Sequence, residues 1–267
     1  LSNKKRTLDE NAKKWYPTVS IKTDEIIQIS KDSTGIPHTD CNNMKKELTA
    51  ASLMEAGAHY GYSRTRRHPT VTPYIFGNKD GVDIIDVEKT ICLTEEAKTY
   101  LADLSKNGKT VLFVGTKPEA RAVIEATAAA LHQPFVTERW IGGMLTNFSE
   151  IKRRIQKLET MKEERASGAL EKYTKKEQLL INRELNRLQK YFSGVIGLTK
   201  MPEAIFVVDP KKEHIAIKEA HKLGITVIAL GNTDCSIRGI QYPIIANDGS
   251  RSSISLILGI LEDTYKQ

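Results

Sequence analysis

The stretch Thr110-Val-Leu-Phe-Val-Gly-Thr-Lys-Pro118 decides the fold class. Five residues with no charge, ending in Gly115, suit a strand buried on both faces of a parallel sheet. Pro118 then fits the first turn of a helix, where its missing N–H leaves no bond unmade. That helix is predicted to end near Leu131. Working outward, Phe135-Val136, Ala204-Ile-Phe-Val-Val208, Ile225-Thr-Val-Ile-Ala-Leu230 and Ile244-Ile245 repeat the strand signal. Helices are predicted over 45–58, 87–107, 211–223 (stopped by Gly224) and 251–265. Asp83-Ile-Ile-Asp86 reads as one more short strand. Alternating strands and helices imply right-handed crossovers and an α/β domain in three layers.

One segment belongs to no such unit. Residues 149–193 are nearly all helix formers. Ile151, Ile155 and Leu158 form one apolar stripe, and Ile181, Leu185, Leu188 and Phe192 form a second. Ala166-Ser-Gly-Ala169 supplies a turn between them. Thr174-Lys-Lys-Glu177 has the form of a capping box. Two narrow stripes joined by a turn predict an inserted antiparallel hairpin of coiled-coil type. It carries twelve Lys/Arg against seven Asp/Glu, a net of +5 out of +7 for the whole chain. Such a charge run is an ordinary solvated face or, with Lys152-Arg-Arg154 at the hairpin base, an RNA-binding surface.

The 267 residues are 40% hydrophobic, with 40 Lys+Arg, 33 Asp+Glu and a pI near 9.1. That balance favours a polyanionic partner, nucleic acid or an anionic membrane surface. No apolar run approaches the roughly 18 residues of a membrane span, so no membrane partner is expected. Residues 1–43 mix seven Lys/Arg with six Asp/Glu and only short apolar patches. They read as an atypical, partly irregular extension of a main domain over 44–267, with Met44 a candidate start site. Cys41, Cys92 and Cys235 form no CxxC pair, and no disulfide framework is expected, which points to a reducing compartment.

Few motifs carry chemistry. Gly115-Thr-Lys-Pro118 stands where α/β folds bind phosphate, but G-x-x-x-x-G-K-[ST] and G-x-G-x-x-G are both absent. The histidines form no HxxxH or HExxH pair, and no G-x-S-x-G elbow exists. Asp83, Asp86 and Asp209 sit at strand ends without a partner visible in the sequence. Arg64-Thr-Arg-Arg-His-Pro-Thr-Val-Thr-Pro-Tyr-Ile-Phe-Gly77 is more informative. It reads as a loop in which arginines can meet phosphates while Tyr74 or Phe76 stacks on a base or anchors the loop in the core.

Several stretches together resemble one family: Ala56-Gly-Ala-His-Tyr-Gly61, Pro73-Tyr-Ile-Phe-Gly77, Ile84-Ile-Asp-Val-Glu-Lys-Thr90, Leu112-Phe-Val-Gly-Thr-Lys117, Arg139-Trp-Ile-Gly-Gly-Met-Leu-Thr-Asn147, the capping box, and Asp209 to Ala220. In this order they resemble the bacterial-type ribosomal protein S2 family, in its bacterial or organellar branch, from about Met44 onward. The resemblance implies a Rossmann-like (flavodoxin-like) parallel sheet with a protruding coiled-coil hairpin and no enzymatic activity. It implies a seat between head and body of the small subunit, contacts to small-subunit rRNA and neighbouring ribosomal proteins, and docking of the large multi-domain mRNA-binding protein. A cytoplasmic bacterial ribosome is the implied location, with an organellar ribosome as the alternative. Some bacterial members have a zinc site built from a histidine and two aspartates. Here His59 and Asp209 match, but Asn232 stands at the third position, so neither metal nor cofactor is expected.

The residues expected to meet RNA phosphates are Arg64, Arg66, Arg67, Lys117, Arg139, Lys152, Arg153 and Arg154. Trp140, Gly142, Gly143 and Asn147 are expected to form a tight turn ordering the hairpin base, with glycine supplying unusual backbone angles. Two alternatives remain open on the residues alone. One is an α/β enzyme binding a nucleotide or sugar phosphate at 115–118. The other is a free protein-interaction module that uses the hairpin.

Overall fold

The computed structural model describes residues 48–167 and 172–266. The extension 1–43, the start of the helix expected from Lys45, and Gly168-Ala169 of the hairpin turn lie outside the described residues.

The main sheet has five parallel strands: β4 (Val111–Val114), β5 (Phe135–Val136), β6 (Ala204–Val208), β7 (Thr226–Gly231) and β8 (Tyr242–Ile245). Their order is β5-β4-β6-β7-β8. Numbered within this sheet, that is 2-1-3-4-5, the flavodoxin-like winding, with its switch point between β4 and β6. Helix α1 is Ala50–Glu55, α2 Val87–Lys106, α3 Pro118–Ala130, α6 His214–Leu223 and α7 Arg251–Tyr265. The hairpin helices are α4 (Phe148–Ala166) and α5 (Lys175–Phe192).

Alternation along the strands builds the layers, because successive side chains leave opposite faces. Val111, Phe113, Phe206, Ile228 and Leu230 enter a core completed by Leu101 of α2, Ile124 of α3 and Ile254 and Leu258 of α7. Leu112, Val114, Ile205, Val207 and Val227 enter the other core, with Ala216 and Ala220 of α6. That second core continues without a break through Trp140 and Met144 into Ile151, Ile155, Leu158, Leu185, Leu188 and Phe192. The hairpin is therefore rooted in the sheet through its two apolar stripes. Its helices run antiparallel: Lys190 near the end of α5 meets Glu138 before α4 (3.4 Å), while Lys157 meets Glu184 further out (2.6 Å). Thr174 and Glu177 form the expected capping box. Among the described residues no helix is long and apolar enough to cross a membrane.

Three expectations need correction. Asp83–Asp86 does not join the parallel sheet. Instead β1 (Tyr60–Ser63), β2 (Ile75–Lys79) and β3 (Val82–Ile85) form a separate antiparallel sheet, order β1-β3-β2. The loop expected over 64–77 is shorter than read: 3-10 turns at Arg64–Arg66 and Pro69–Tyr74 lead directly into β2. The first helix ends at Glu55 rather than Ala58, because Gly57 turns the chain at φ +71°. Cys235 is a buried free thiol.

Candidate nucleic-acid interface

The carboxyl ends of the parallel strands gather residues far apart in sequence. Lys117 follows β4 and caps α3, Asp209 follows β6, Asn232 follows β7 and Asp248 follows β8. The Lys117 ammonium lies 3.0 Å from Asp248, 3.5 Å from Asp209 and 3.1 Å from the Tyr62 hydroxyl. Tyr62 Oη donates to Asp248 at 3.3 Å, and Asn232 Nδ2 donates to the same oxygen at 3.3 Å. Burial pushes the Asp248 carboxyl up from its usual range, against the pull of Lys117. Burial alone would lower the Lys117 pKa, but the two carboxylates and Tyr62 raise it above the ordinary lysine value.

This is the switch point where α/β folds bind phosphates, and here it faces two carboxylates. An incoming phosphate would meet like charge and have to displace the lysine from both. Gly115 does not open a cradle either, since Ile124 fills the space beside its Cα. From behind, the Thr116 hydroxyl donates to the buried Glu213, and Lys212 Nζ donates to the Thr116 carbonyl at 3.1 Å. Burial raises the Glu213 pKa.

The antiparallel sheet is pinned to this edge. Tyr62 N donates to Thr233 Oγ1 at 2.9 Å, and His68 N donates to the Thr233 carbonyl at 2.8 Å. Arg67 grips Asp83, which is fully buried, with Nε at 2.7 Å from Oδ2 and a second, short contact from the guanidinium to Oδ1. Asn78 adds a bond at 3.1 Å. The Arg67 guanidinium holds the Asp83 carboxyl below its usual range, outweighing burial. Tyr74 packs half-buried against Val71, Ile85 and Ile245, while Phe76 is 60% exposed. Next to this locked frame Arg64 and Arg66 are exposed. The Arg66 guanidinium sits 5.3 Å over the Tyr62 ring. Neither arginine pairs with a carboxylate among the described residues.

The hairpin base is held by a residue the sequence did not flag. Glu219 of α6 is 9% exposed and reaches across to the 140–147 turn. One of its oxygens accepts from Trp140 Nε1 (3.2 Å) and Gly143 N (2.8 Å). The other accepts from Leu145 N (3.1 Å), Thr146 N (3.2 Å) and Thr146 Oγ1 (3.2 Å). Burial pushes this carboxyl up, but the donors from Gly143, Thr146, Trp140 and Leu145 outweigh it and the net shift is downward. A signal existed: Glu219 falls on the same face of α6 as Ala216 and Ala220, where a charge has no place unless it is bonded. Of the glycine pair, only Gly143 has a left-handed backbone (φ +90°); Gly142 has ordinary angles and open space beside it. Asn147 acts through its backbone, its N–H donating to the Gly143 carbonyl at 2.8 Å. Its side chain makes no cap bond to α4.

Beyond this turn Arg139 is exposed, as are Lys152, Arg153 and Arg154. Consecutive helix residues point about 100° apart, so these three do not form one patch. Lys152 and Arg154 point to nearly opposite sides with Arg153 between them, and Arg153 pairs with Glu150 on the surface at 2.5 Å. The structure thus divides the eight expected phosphate contacts. Arg67 and Lys117 are paired within the fold, and the other six reach solvent.

A zinc ion does not suit the residues present. Among the described residues no three His, Cys, Asp or Glu side chains converge on one point. The side-chain amide oxygen Oδ1 of Asn232 already accepts from Thr233 N at 2.7 Å, and Asp209 faces Lys117. Burial lowers the pKa of His59, whose ring lies 4.0 Å from that of Tyr60.

Residues 53–267 match the family described as ribosomal protein S2. The small ribosomal subunit protein uS2 of Thermus thermophilus is 45% identical over 224 residues, covering 84% of this chain and 88% of that protein. The protein of the same name from Dictyoglomus thermophilum is 44% identical over 211 residues, 79% and 86% of the two chains. The one from a Picosynechococcus species is 41% identical over 216 residues, 81% and 84%.

Proposed function

The chain belongs to the ribosomal protein S2 family, and from that premise we propose how it meets its ribosome. It is a structural constituent of the small ribosomal subunit and not an enzyme. It associates with the rRNA and proteins of that subunit. The phosphate contacts are Arg64, Arg66, Arg139, Lys152, Arg153 and Arg154. Arg67 and Lys117 serve the same interface indirectly, by fixing the frame from which Arg64 and Arg66 project.

The observation that carries this assignment is the contrast around Tyr62 and Asp83. A rigidly bonded frame presents two exposed arginines that form no ion pair among the described residues. Preorganised cations of this kind lose little freedom on meeting a phosphate backbone. The main domain is 44–267, with 149–193 a coiled-coil hairpin insertion, and 1–43 an extension. The protein neighbours include the large multi-domain mRNA-binding protein of the subunit. The location is the bacterial cytoplasm or an organellar ribosome.

Co-sedimentation with small subunits at rising salt tests the assignment. Replacing Arg64 and Arg66 by alanine should weaken association and flatten its salt dependence. Association indifferent to salt and to both substitutions would defeat it.

A further inference from the structure

The outward face of α5 differs from every other helix surface of the hairpin. Lys176, Arg183, Arg187 and Lys190 recur there at helical spacing, and all are exposed. At 1.5 Å per residue the row spans about 21 Å. No acid shares it. The acids of α5 are Glu177 and Glu184, and both already have partners within the hairpin. Glu177 accepts from Thr174 N at 2.9 Å, closing the capping box, and Glu184 pairs with Lys157 of α4 at 2.6 Å. Only Lys190 of the row has a carboxylate partner among the described residues, Glu138 at 3.4 Å.

Within this row stand two large apolar side chains that the hairpin does not bury. Leu179 is 49% exposed and Leu180 53%, with Tyr173 nearby in sequence at 48%. The inner stripe of the same helix is complete without them: Leu185, Leu188 and Phe192 are buried, and Ile181 packs beside them. Core formation therefore does not require Leu179 or Leu180, and on a solvated helix face they are unfavourable neighbours for water. A phosphate backbone would use the cations and leave the leucines wet. An acidic protein segment would use both, its carboxylates on the lysine and arginine heads and its apolar side chains on the leucines.

We propose that the outer face of α5, from Lys176 to Lys190, docks an acidic amphipathic segment of a neighbouring protein, with Leu179 and Leu180 as its apolar anchor. The row stands on α5, whereas the Arg64–Arg66 and Lys152–Arg154 contacts stand on other elements, and the inference rests on the chain's place in the small subunit. In the assembled subunit a helix laid on this face would make a third strand of the hairpin, with the charges setting its register.

A photo-cross-linking amino acid placed at position 180 of the full chain, in purified small subunits, tests this. A second probe at position 154 reports the rRNA contact independently. The expected result is a cross-link from position 180 to a protein segment rich in Asp and Glu. Arg183→Glu with Arg187→Glu should cut its yield about tenfold, leaving the position 154 cross-link to rRNA unchanged. A position 180 cross-link to rRNA or to a segment without acids overturns the proposal. So does indifference to the charge reversals, or no cross-link where position 154 still reacts. Failure at position 154 alone would count against the rRNA assignment instead.

Discussion

The bonded edge of the sheet and the open surface beside it carry the same kinds of side chain. Arg67 and Arg66 are adjacent in the chain, yet Arg67 is clamped on a fully buried aspartate while Arg66 lies over a tyrosine ring facing solvent. Lys117 follows the same pattern as Arg67, held between Asp248 and Asp209. A basic residue in a family motif therefore takes one of two parts, inner brace or outer contact. What decides is whether a buried carboxylate waits within reach, as Asp83 and Asp248 do and the surface Glu150 beside Arg153 does not. The two parts make opposite predictions: removing a brace should cost stability, and removing an outer contact should cost association.

The largest effect is expected at Arg67. Arg67→Met leaves Asp83 buried with, among the described residues, the Asn78 side chain as its one remaining hydrogen-bond donor, and should destabilise the protein by about 3–5 kcal/mol, measured by urea unfolding. A change below about 1 kcal/mol would remove Arg67 from the braces. Next is Glu219→Gln, which keeps the shape but loses the charge that five donors converge on. A loss of about 2–3 kcal/mol is expected.

That loss should depend on pH. The folded carboxyl of Glu219 lies below its ordinary value of 4.5, and that of Asp83 below 3.8. Their contribution is complete above those ordinary values and is lost as pH falls through the lower folded values. The stability gap between the wild type and Glu219→Gln should therefore narrow in acid, starting below about pH 4.5. A gap that widened there would reverse the sign assigned to Glu219.

A smaller effect separates two neighbouring glycines. Gly143→Ala forces a side chain onto φ +90° and against Asn147 Cβ, whereas Gly142→Ala meets nothing. The first should lose about 1–2 kcal/mol and the second almost nothing. Equal losses would mean that the turn is set by something other than the Gly143 backbone.

Much of the architecture was legible because burial on both faces writes an unbroken apolar run. Val111–Val114, Ala204–Val208 and Thr226–Gly231 each announced themselves that way, and the two stripes of 149–193 announced the hairpin. The antiparallel sheet did not. Tyr60–Ser63 and Ile75–Lys79 lie largely at the surface, hold a glycine each, and lack a clean alternation. Only their shared partner Val82–Ile85 alternates. The interface was half legible. Motif order found the basic residues, but no local pattern could say that Lys117 meets Asp248, 131 residues on. Glu219 was hidden inside an ordinary-looking helix, although a carboxylate on the apolar face was the clue.

Arg64 and Arg66 act as contacts rather than braces. The most direct measurement is the association constant with small subunits as a function of salt, for wild type and for Arg64→Ala with Arg66→Ala. The double variant should unfold within about 0.5 kcal/mol of wild type. It should bind more weakly, with a log–log salt slope shallower by about 1.8, the loss of two phosphate contacts. An unchanged slope, or a weakened association explained by lost stability, would contradict that role.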